Sequence, residues 1–271
     1  MDLSPALAAL LLGIVEGLTE FVPVSSTGHL ILFIDLLGFA APPGRSFEIV
    51  IQLGAVLAVM VIYARKLFGI AVGVFGSGPP AQEARAYASN VIMAFLPAMV
   101  LGATLHGIIT ERLFDPYVVC FALIAGGIAI ILIERFRPTA HVESVSAIGW
   151  KRSLLIGFAQ ALAMIPGTSR SGATIIGALL VGIARPAAAE FSFVLAIPTM
   201  LAAAVYSLYK TWSDISFDGA ALIAIGFVSA FVVALIVVRV VLAVIARIGF
   251  TPFGYYRIGV GLVMLGVLLT R

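Results

Sequence analysis

Charge is scarce in this sequence. Lys, Arg, Asp and Glu supply 11% of its 271 residues and apolar side chains 62%, too few ionisable groups to cover the surface of a soluble globule. A soluble enzyme core, a coiled coil and a disordered chain are thereby excluded, and an integral membrane protein is indicated. Cysteine is almost absent. Cys120, inside the apolar stretch 118–133, is the only one, which excludes an intrachain disulfide, a CxxC pair and a thiolate metal cluster. The N-terminus lacks a basic leader and a small-residue cleavage site, and its apolar run leads straight into Glu16, so the first segment is expected to belong to the mature fold. No basic cluster marks a nucleic-acid footprint. The net charge of +3 comes from lysines and arginines scattered singly or in pairs between apolar runs, where they read as topology signals. The short alternating segments of a membrane β-barrel are missing as well.

What is present is a set of continuous apolar runs rich in Ala, Leu and Gly. Six of them, at 47–64, 88–107, 116–134, 187–208, 219–246 and 254–270, are long enough to cross a bilayer as helices. Two further stretches, 11–32 and 156–176, carry polar residues through otherwise apolar sequence: LLGIVEGLTEFVPVSSTGHLIL and IGFAQALAMIPGTSRSGATII. Pro23 and Pro166 each remove a donor and push the preceding residue out of the helical region, so each stretch is predicted to break into two half-helices. Broken backbone at membrane depth survives only where protein buries it or where it lines a cavity, which marks both stretches as functional. A shift of 144 residues superposes them. Gly13 falls on Gly157, Glu16 on Gln160, Ser25 on Ser169, Thr27 on Ser171 and Gly28 on Gly172, and downstream Phe47 falls on Phe191 and Leu57 on Leu201.

The expected fold is therefore an all-α integral membrane protein with six full transmembrane helices and two re-entrant broken-helix hairpins. It forms a single membrane domain over 1–271 built as an inverted-topology repeat, one half about 1–135 and the other about 145–271. Nine basic residues then gather on one side, namely Arg65, Lys66, Arg85, Arg135, Arg137, Lys151, Arg152, Arg185 and Arg247, against Arg45, Arg112, Lys210 and Arg271 on the other. The positive-inside rule puts the nine in the cytoplasm and both termini outside.

Glu16 and Glu20 lie one helical turn apart, so two carboxylates share a face of the first half-helix, a costly arrangement at membrane depth unless protonated, paired or bound to a cation. A divalent metal would relieve that cost, and so would a polar network between helices. Ser25, Ser26 and Thr27 open the next half-helix, where free N–H groups and the positive dipole end attract an anion, although a hydroxyl there also serves as a plain cap. His29 lies on the same face as Ser25 and Ser26, so imidazole and hydroxyl are expected to converge. In the second stretch Arg170 stands among Ser169, Ser171 and Gly172 at another half-helix start. Its planar fork suits phosphate oxygens, or a salt bridge to Glu16 or Glu20. Glu48, Gln52 and Glu190, early in the following spans, stay open between the same cavity and ordinary helix packing. Together these groups point to an anionic, phosphate-bearing ligand with a metal. A P-loop is excluded because GxxxxGK[ST] is absent. The type-2 phosphatidic-acid phosphatase pattern fails because Ile176 stands where it needs a histidine.

EGLTEFVPVSSTGHL over Glu16–Leu30 and PGTSRSGAT over Pro166–Thr174 closely resemble the undecaprenyl-pyrophosphate phosphatase family of the bacitracin-resistance type. FEIVIQLGAVLAV over Phe47–Val59 and EFSFVLAIPTM over Glu190–Met200 are similar to it too, so the likeness runs essentially the full length. The resemblance implies a multi-pass hydrolase of the bacterial inner membrane that converts undecaprenyl (polyprenyl) diphosphate to the monophosphate lipid carrier and phosphate for cell-wall synthesis, with Mg²⁺ or Ca²⁺ as cofactor. It implies residue roles as well. Glu16 and Glu20 would hold the metal and act in catalysis with Ser26 and His29, while Arg170, Ser169, Ser25, Thr27, Ser171 and Gly172 would bind the diphosphate. Attack by Ser26 or water, with His29 exchanging protons, stands beside a histidine nucleophile. Expected partners are the lipid substrate and membrane lipids, with a homodimer open and no nucleic acid. A secondary transporter or flippase of an anionic or phosphorylated lipid shares the repeats and broken helices and stands as the alternative.

Overall fold

The computed structural model describes residues 4–37, 39, 46–210 and 219–270, with the side chains of 35–37, 106, 108 and 110–112 outside the description. Arg45, Arg271 and the Arg112 side chain, three of the four basic groups expected on the less positive side, thus lie outside the described residues.

The first polar stretch folds as two half-helices, α1 (Pro5–Thr19) and α2 (Ser26–Leu37). Ser4 caps α1 by accepting from the Leu7 N–H, and Pro5 sits at the first helical position, where no N–H is needed. The helix stops ahead of Pro23, as the proline requires. There follow α3 (Ser46–Ile62), α4 (Ala64–Gly73), α5 (Pro79–Arg112) and α6 (Pro116–Phe136), the last capped by Asp115, which accepts from Tyr117 N–H at 2.8 Å. The second polar stretch gives α7 (Trp150–Ala161), a 3-10 turn over Leu162–Met164, and α8 (Arg170–Leu180). The chain ends in α9 (Arg185–Lys210), α10 (Ala220–Ile248) and α11 (Thr251–Leu269). The molecule is an all-α integral membrane protein.

Among the described residues five helices, α5, α6, α9, α10 and α11, are long and apolar enough to cross a membrane, and α3 with α4 is a sixth only as a pair bent by 70°. The crossing expected over 47–64 is found in that bent form, running on into α4. α3 has 17 residues, which at 1.5 Å per residue reach about 26 Å, short of the ~30 Å hydrocarbon core. The chain turns where Arg65 and Lys66 begin, and Lys66 pairs with Glu190 at the start of α9.

Packing exchanges elements between the two halves: α1 lies chiefly against α10 and α7 against α5, while α6 pairs with α11 and α3 with α10. Gly17 makes the first of these contacts close, since a Cβ there would stand 2.7 Å from the Ala230 carbonyl oxygen. Small residues of this kind let two membrane helices approach backbone to backbone. The buried centre holds Phe21, Phe47, Phe191, Phe193 and, without exposure, Arg257. Phe121, Leu132, Val232, Ile236 and Val263 point outward from α6, α10 and α11, as side chains in contact with lipid do.

Candidate active site

Both breaks close on one another at the centre of the bundle. Ser171 Oγ donates to the Val22 carbonyl at 3.0 Å, tying the start of α8 to the first break. Arg257 of α11 ties both. Its Nη1 donates to Pro23 O at 3.3 Å and Thr168 O at 2.8 Å, its Nη2 to Gly167 O at 2.9 Å and Ala122 O at 3.1 Å, and its Nε to Leu123 O at 3.4 Å. Every guanidinium nitrogen thus serves a backbone carbonyl, and among the described residues no carboxylate pairs with it. Three carbonyls at the breaks, those of Pro23, Gly167 and Thr168, thus find their donor in this one fully buried cation.

The breaks share a local device. Ser25 and Ser169, equivalent under the 144-residue shift, are the non-glycine residues with positive φ among the described residues, at 71° and 75°. Each hydroxyl accepts from an N–H three residues on, Ser25 from Gly28 at 3.4 Å and Ser169 from Gly172 at 3.1 Å. A serine held in a region that favours glycine is strained, and such strain persists where surrounding structure over-determines it, often at functional sites.

Glu20 and Arg170 form the centre. Arg170 Nη2 donates to Glu20 Oε1 at 2.9 Å, and Ser26 Oγ donates to Glu20 Oε2 at 2.5 Å. Arg170 Nη1 donates to Ser192 O at 2.9 Å, and the guanidinium lies 5.5 Å from the Phe21 ring centre, a cation–π contact. Arg170 Nε and both Glu16 carboxylate oxygens are buried without a hydrogen-bond partner among the described residues. Glu16 lies within hydrogen-bonding reach of the Glu20 carboxyl, though neither carboxylate brings a donor, and it feels Arg170 electrostatically. A carboxylate with two bare oxygens and an N–H donor with nothing to donate to are costly when buried, and a cation and an anion would relieve them.

His29 departs from expectation. Its imidazole does not converge on a hydroxyl of its own helix: Nδ1 bonds the Ser25 carbonyl at 2.8 Å and Nε2 bonds Tyr256 Oη of α11 at 2.8 Å. Ser26, one residue beyond Ser25, is drawn away to Glu20, whose charge makes the stronger acceptor. Ser169 Oγ lies 3.1 Å from Ser171 Oγ, so those two serines adjoin. Among the described residues the half-buried Thr27 makes no side-chain hydrogen bond to this group, and Gly172 packs beside the Arg257 guanidinium. Glu190 lies elsewhere, paired with Lys66 at 2.5 Å and accepting from Tyr87 at 3.2 Å. Gln160, the counterpart of Glu16, is tied to Thr199 at 3.3 Å and to Ala94 O at 3.5 Å. Three participants escaped sequence reasoning: Tyr256, Arg257 and Ser192. For Arg257 a signal existed, an arginine inside an apolar run.

Known proteins resemble this chain over nearly its whole length. Residues 9–263 match the family described as bacitracin resistance protein BacA. The chain is similar to undecaprenyl-diphosphatase 2 of Paramagnetospirillum magneticum, 52% identical over 265 residues that cover 98% of this chain and all of the other. It is likewise similar to the undecaprenyl-diphosphatase of Parvibaculum lavamentivorans, 51% identical over 96% of this chain and 95% of the other, and to that of Ectopseudomonas mendocina, 50% identical over 98% and 95%. With one family covering nearly the whole chain, and with both of its breaks brought to one buried site, the protein belongs to the bacitracin resistance protein BacA family.

Proposed function

We infer that this chain is an undecaprenyl-diphosphatase of the bacterial inner membrane, which hydrolyses undecaprenyl diphosphate to the monophosphate lipid carrier and inorganic phosphate. The observation that carries the chemistry is the 2.5 Å bond from Ser26 Oγ to Glu20 Oε2, a hydroxyl facing a carboxylate able to take its proton. Ser26 Oγ attacks the terminal phosphorus, its proton passes to Glu20, and the bond from that phosphorus to the bridging oxygen breaks. The lipid monophosphate departs and takes that proton with it. Water then attacks the phosphoserine phosphorus, and Glu20 accepts a proton from it and returns one to Ser26 as phosphate leaves. His29, not bonded to Ser26, serves as a second acid–base group. Arg170, with its buried Nε–H open, and the N–H groups opening α2 and α8 take the diphosphate oxygens, lined by Ser25, Thr27, Ser169, Ser171 and Gly172. On α9, beyond Met200, whose sulfur lies 3.5 Å from Arg170 Nη2, the exposed Leu201, Val205 and Tyr209 offer the prenyl chain an apolar surface.

A divalent cation suits this donor set. Both Glu16 oxygens are buried and bare, and Mg²⁺ is usually held by one or two carboxylates plus substrate phosphate and not by a full protein cage. Among the described residues no group of three or more His, Cys, Asp or Glu gathers, so substrate phosphate and water would have to complete the shell of the ion. Glu16, with Glu20 one turn on, would hold the ion, which when bound would offset charge on the transferring phosphoryl group.

Phosphate release from undecaprenyl diphosphate by purified protein tests the reading. Ser26→Ala is expected to fall below about a tenth of wild-type kcat while still binding substrate, as loss of a covalent catalyst requires. Retention above that level hands the attack to water or His29. A carrier, the other reading, has no use for the Ser26–Glu20 contact.

A further inference from the structure

Tyr256 and Arg257 are neighbours on α11, yet only Arg257 turns wholly into the bundle. Tyr256 is 48% exposed, and its hydroxyl is the partner of a histidine that is only 4% exposed. The two rings are parallel within 2°, with centroids 5.6 Å apart. The partners of the imidazole decide where its proton sits. Ser25 O, 2.8 Å from Nδ1, is a carbonyl and can only accept, so Nδ1 carries a hydrogen. In the neutral ring Nε2 is then bare, and the phenol 2.8 Å away must be the donor. The Ser25 carbonyl is itself aimed by the strained turn, φ 71°, that opens α2.

We propose that Tyr256 is a positioning residue of the phosphatase reaction: its hydroxyl, bonded to Nε2, fixes the plane of the His29 ring that the Ser25 carbonyl already holds in the Nδ1–H tautomer, so that Nε2 is the basic nitrogen of the site. The proposal rests on the phosphatase reading and on His29 belonging to its machinery. Metal-bound and catalytic histidines alike are oriented through the nitrogen they do not use. Here the backbone takes one nitrogen and the phenol keeps the other in place until substrate arrives. Among the described residues the Tyr256 hydroxyl bonds His29 and makes no hydrogen bond to Glu20, Ser26 or Arg170, so its effect must pass through His29.

The test uses the full-length protein in detergent. With three histidines in the chain, ¹⁵N-histidine labelling gives a spectrum simple enough to assign, His29→Gln removing the signal in question. The expected wild-type signature is a protonated Nδ1 and a bare, hydrogen-bonded Nε2. Tyr256→Phe should move the Nε2 resonance alone toward that of an unbonded ring nitrogen. A protonated Nε2 in the wild type overturns the proposal. In turnover, Tyr256→Phe should lower kcat about five- to thirty-fold with KM little changed, the size of one lost hydrogen bond. Added to His29→Gln it should cost less than about twofold, because the partner through which it acts is gone. Additive losses overturn the proposal and make Tyr256 a packing residue. A wild type that releases no phosphate sinks the activity reading instead, since the NMR measurement decides the positioning without turnover.

Discussion

At the scale of single residues the site is built on one guanidinium. Arg170 divides its fork between the Glu20 carboxylate and the Ser192 carbonyl, both at 2.9 Å, and leaves Nε buried and open. Lysine keeps the charge but offers one ammonium where the fork serves two acceptors and holds a donor for a third. Arg170→Lys is therefore expected to lower kcat/KM by more than about tenfold, one to two kcal/mol of charge-assisted bonding, measured as phosphate release. Near-normal turnover would make the Glu20 pair a structural tie. Much of this group is legible in the sequence because a carboxylate or an arginine inside an apolar run has a cost that demands a partner. Glu16, Glu20 and Arg170 announce themselves in that way, and Ser26 by its place at the half-helix start beyond Pro23. Tyr256 and Ser192 do not, because a tyrosine or serine in a membrane helix is ordinary and only tertiary packing, 227 residues away in the case of His29 and Tyr256, gives it a partner. His29 itself shows the limit of spacing arguments: helical periodicity puts it near Ser26, but Glu20 outcompetes it for the hydroxyl.

Elements carry a different kind of information. Proline marks the two breaks by removing a donor, and the breaks fall where Pro23 and Pro166 place them. The bend between α3 and α4 has no such mark. Its residues, Ile62, Tyr63 and Ala64, include neither proline nor glycine, and the chain turns because α4 carries Arg65 and Lys66 to the end of the bundle, where Lys66 meets Glu190. The half-helix starts make a prediction at this scale. Ser169 combines a positive φ of 75° with a cap to the Gly172 N–H. Ser169→Ala loses the cap and keeps the strain, whereas Ser169→Gly loses the cap and relieves the strain. Alanine should therefore be the less stable of the two by about 1 kcal/mol, read as the order of their thermal unfolding midpoints in detergent. Both should lose activity alike if the hydroxyl contacts the diphosphate. Equal midpoints would mean that the turn is not strained.

The whole molecule has two unlike ends. At one of them Lys66 meets Glu190 and Tyr87, Arg185 meets Glu134, Ser146 meets Glu83, and Arg152 meets His141. These contacts draw together the starts of α4, α5, α7 and α9 and the end of α6. At the other end Tyr117 at the start of α6 reaches the Leu268 carbonyl near the end of α11. The nine basic residues counted from the sequence belong to segments at the first end, and the exchange of partners between halves, α1 on α10 and α7 on α5, is what two inverted copies would produce. By the positive-inside rule we propose that the first end faces the cytoplasm and that Ser4 and Thr270 face the opposite side. Cys120 is fully buried, so the native chain gives little background to a thiol label. Single cysteines introduced at the exposed Ser4 and Thr270 should react with a membrane-impermeant maleimide in intact cells, while those at the exposed Ser77 and Ser144 should react only after permeabilisation. The four positions lie outside the site, so phosphate release by each variant certifies the fold before its label is read. Labelling of all four from one side, or of positions 4 and 270 from opposite sides, would break the inverted arrangement, because an odd number of crossings in each half admits neither result.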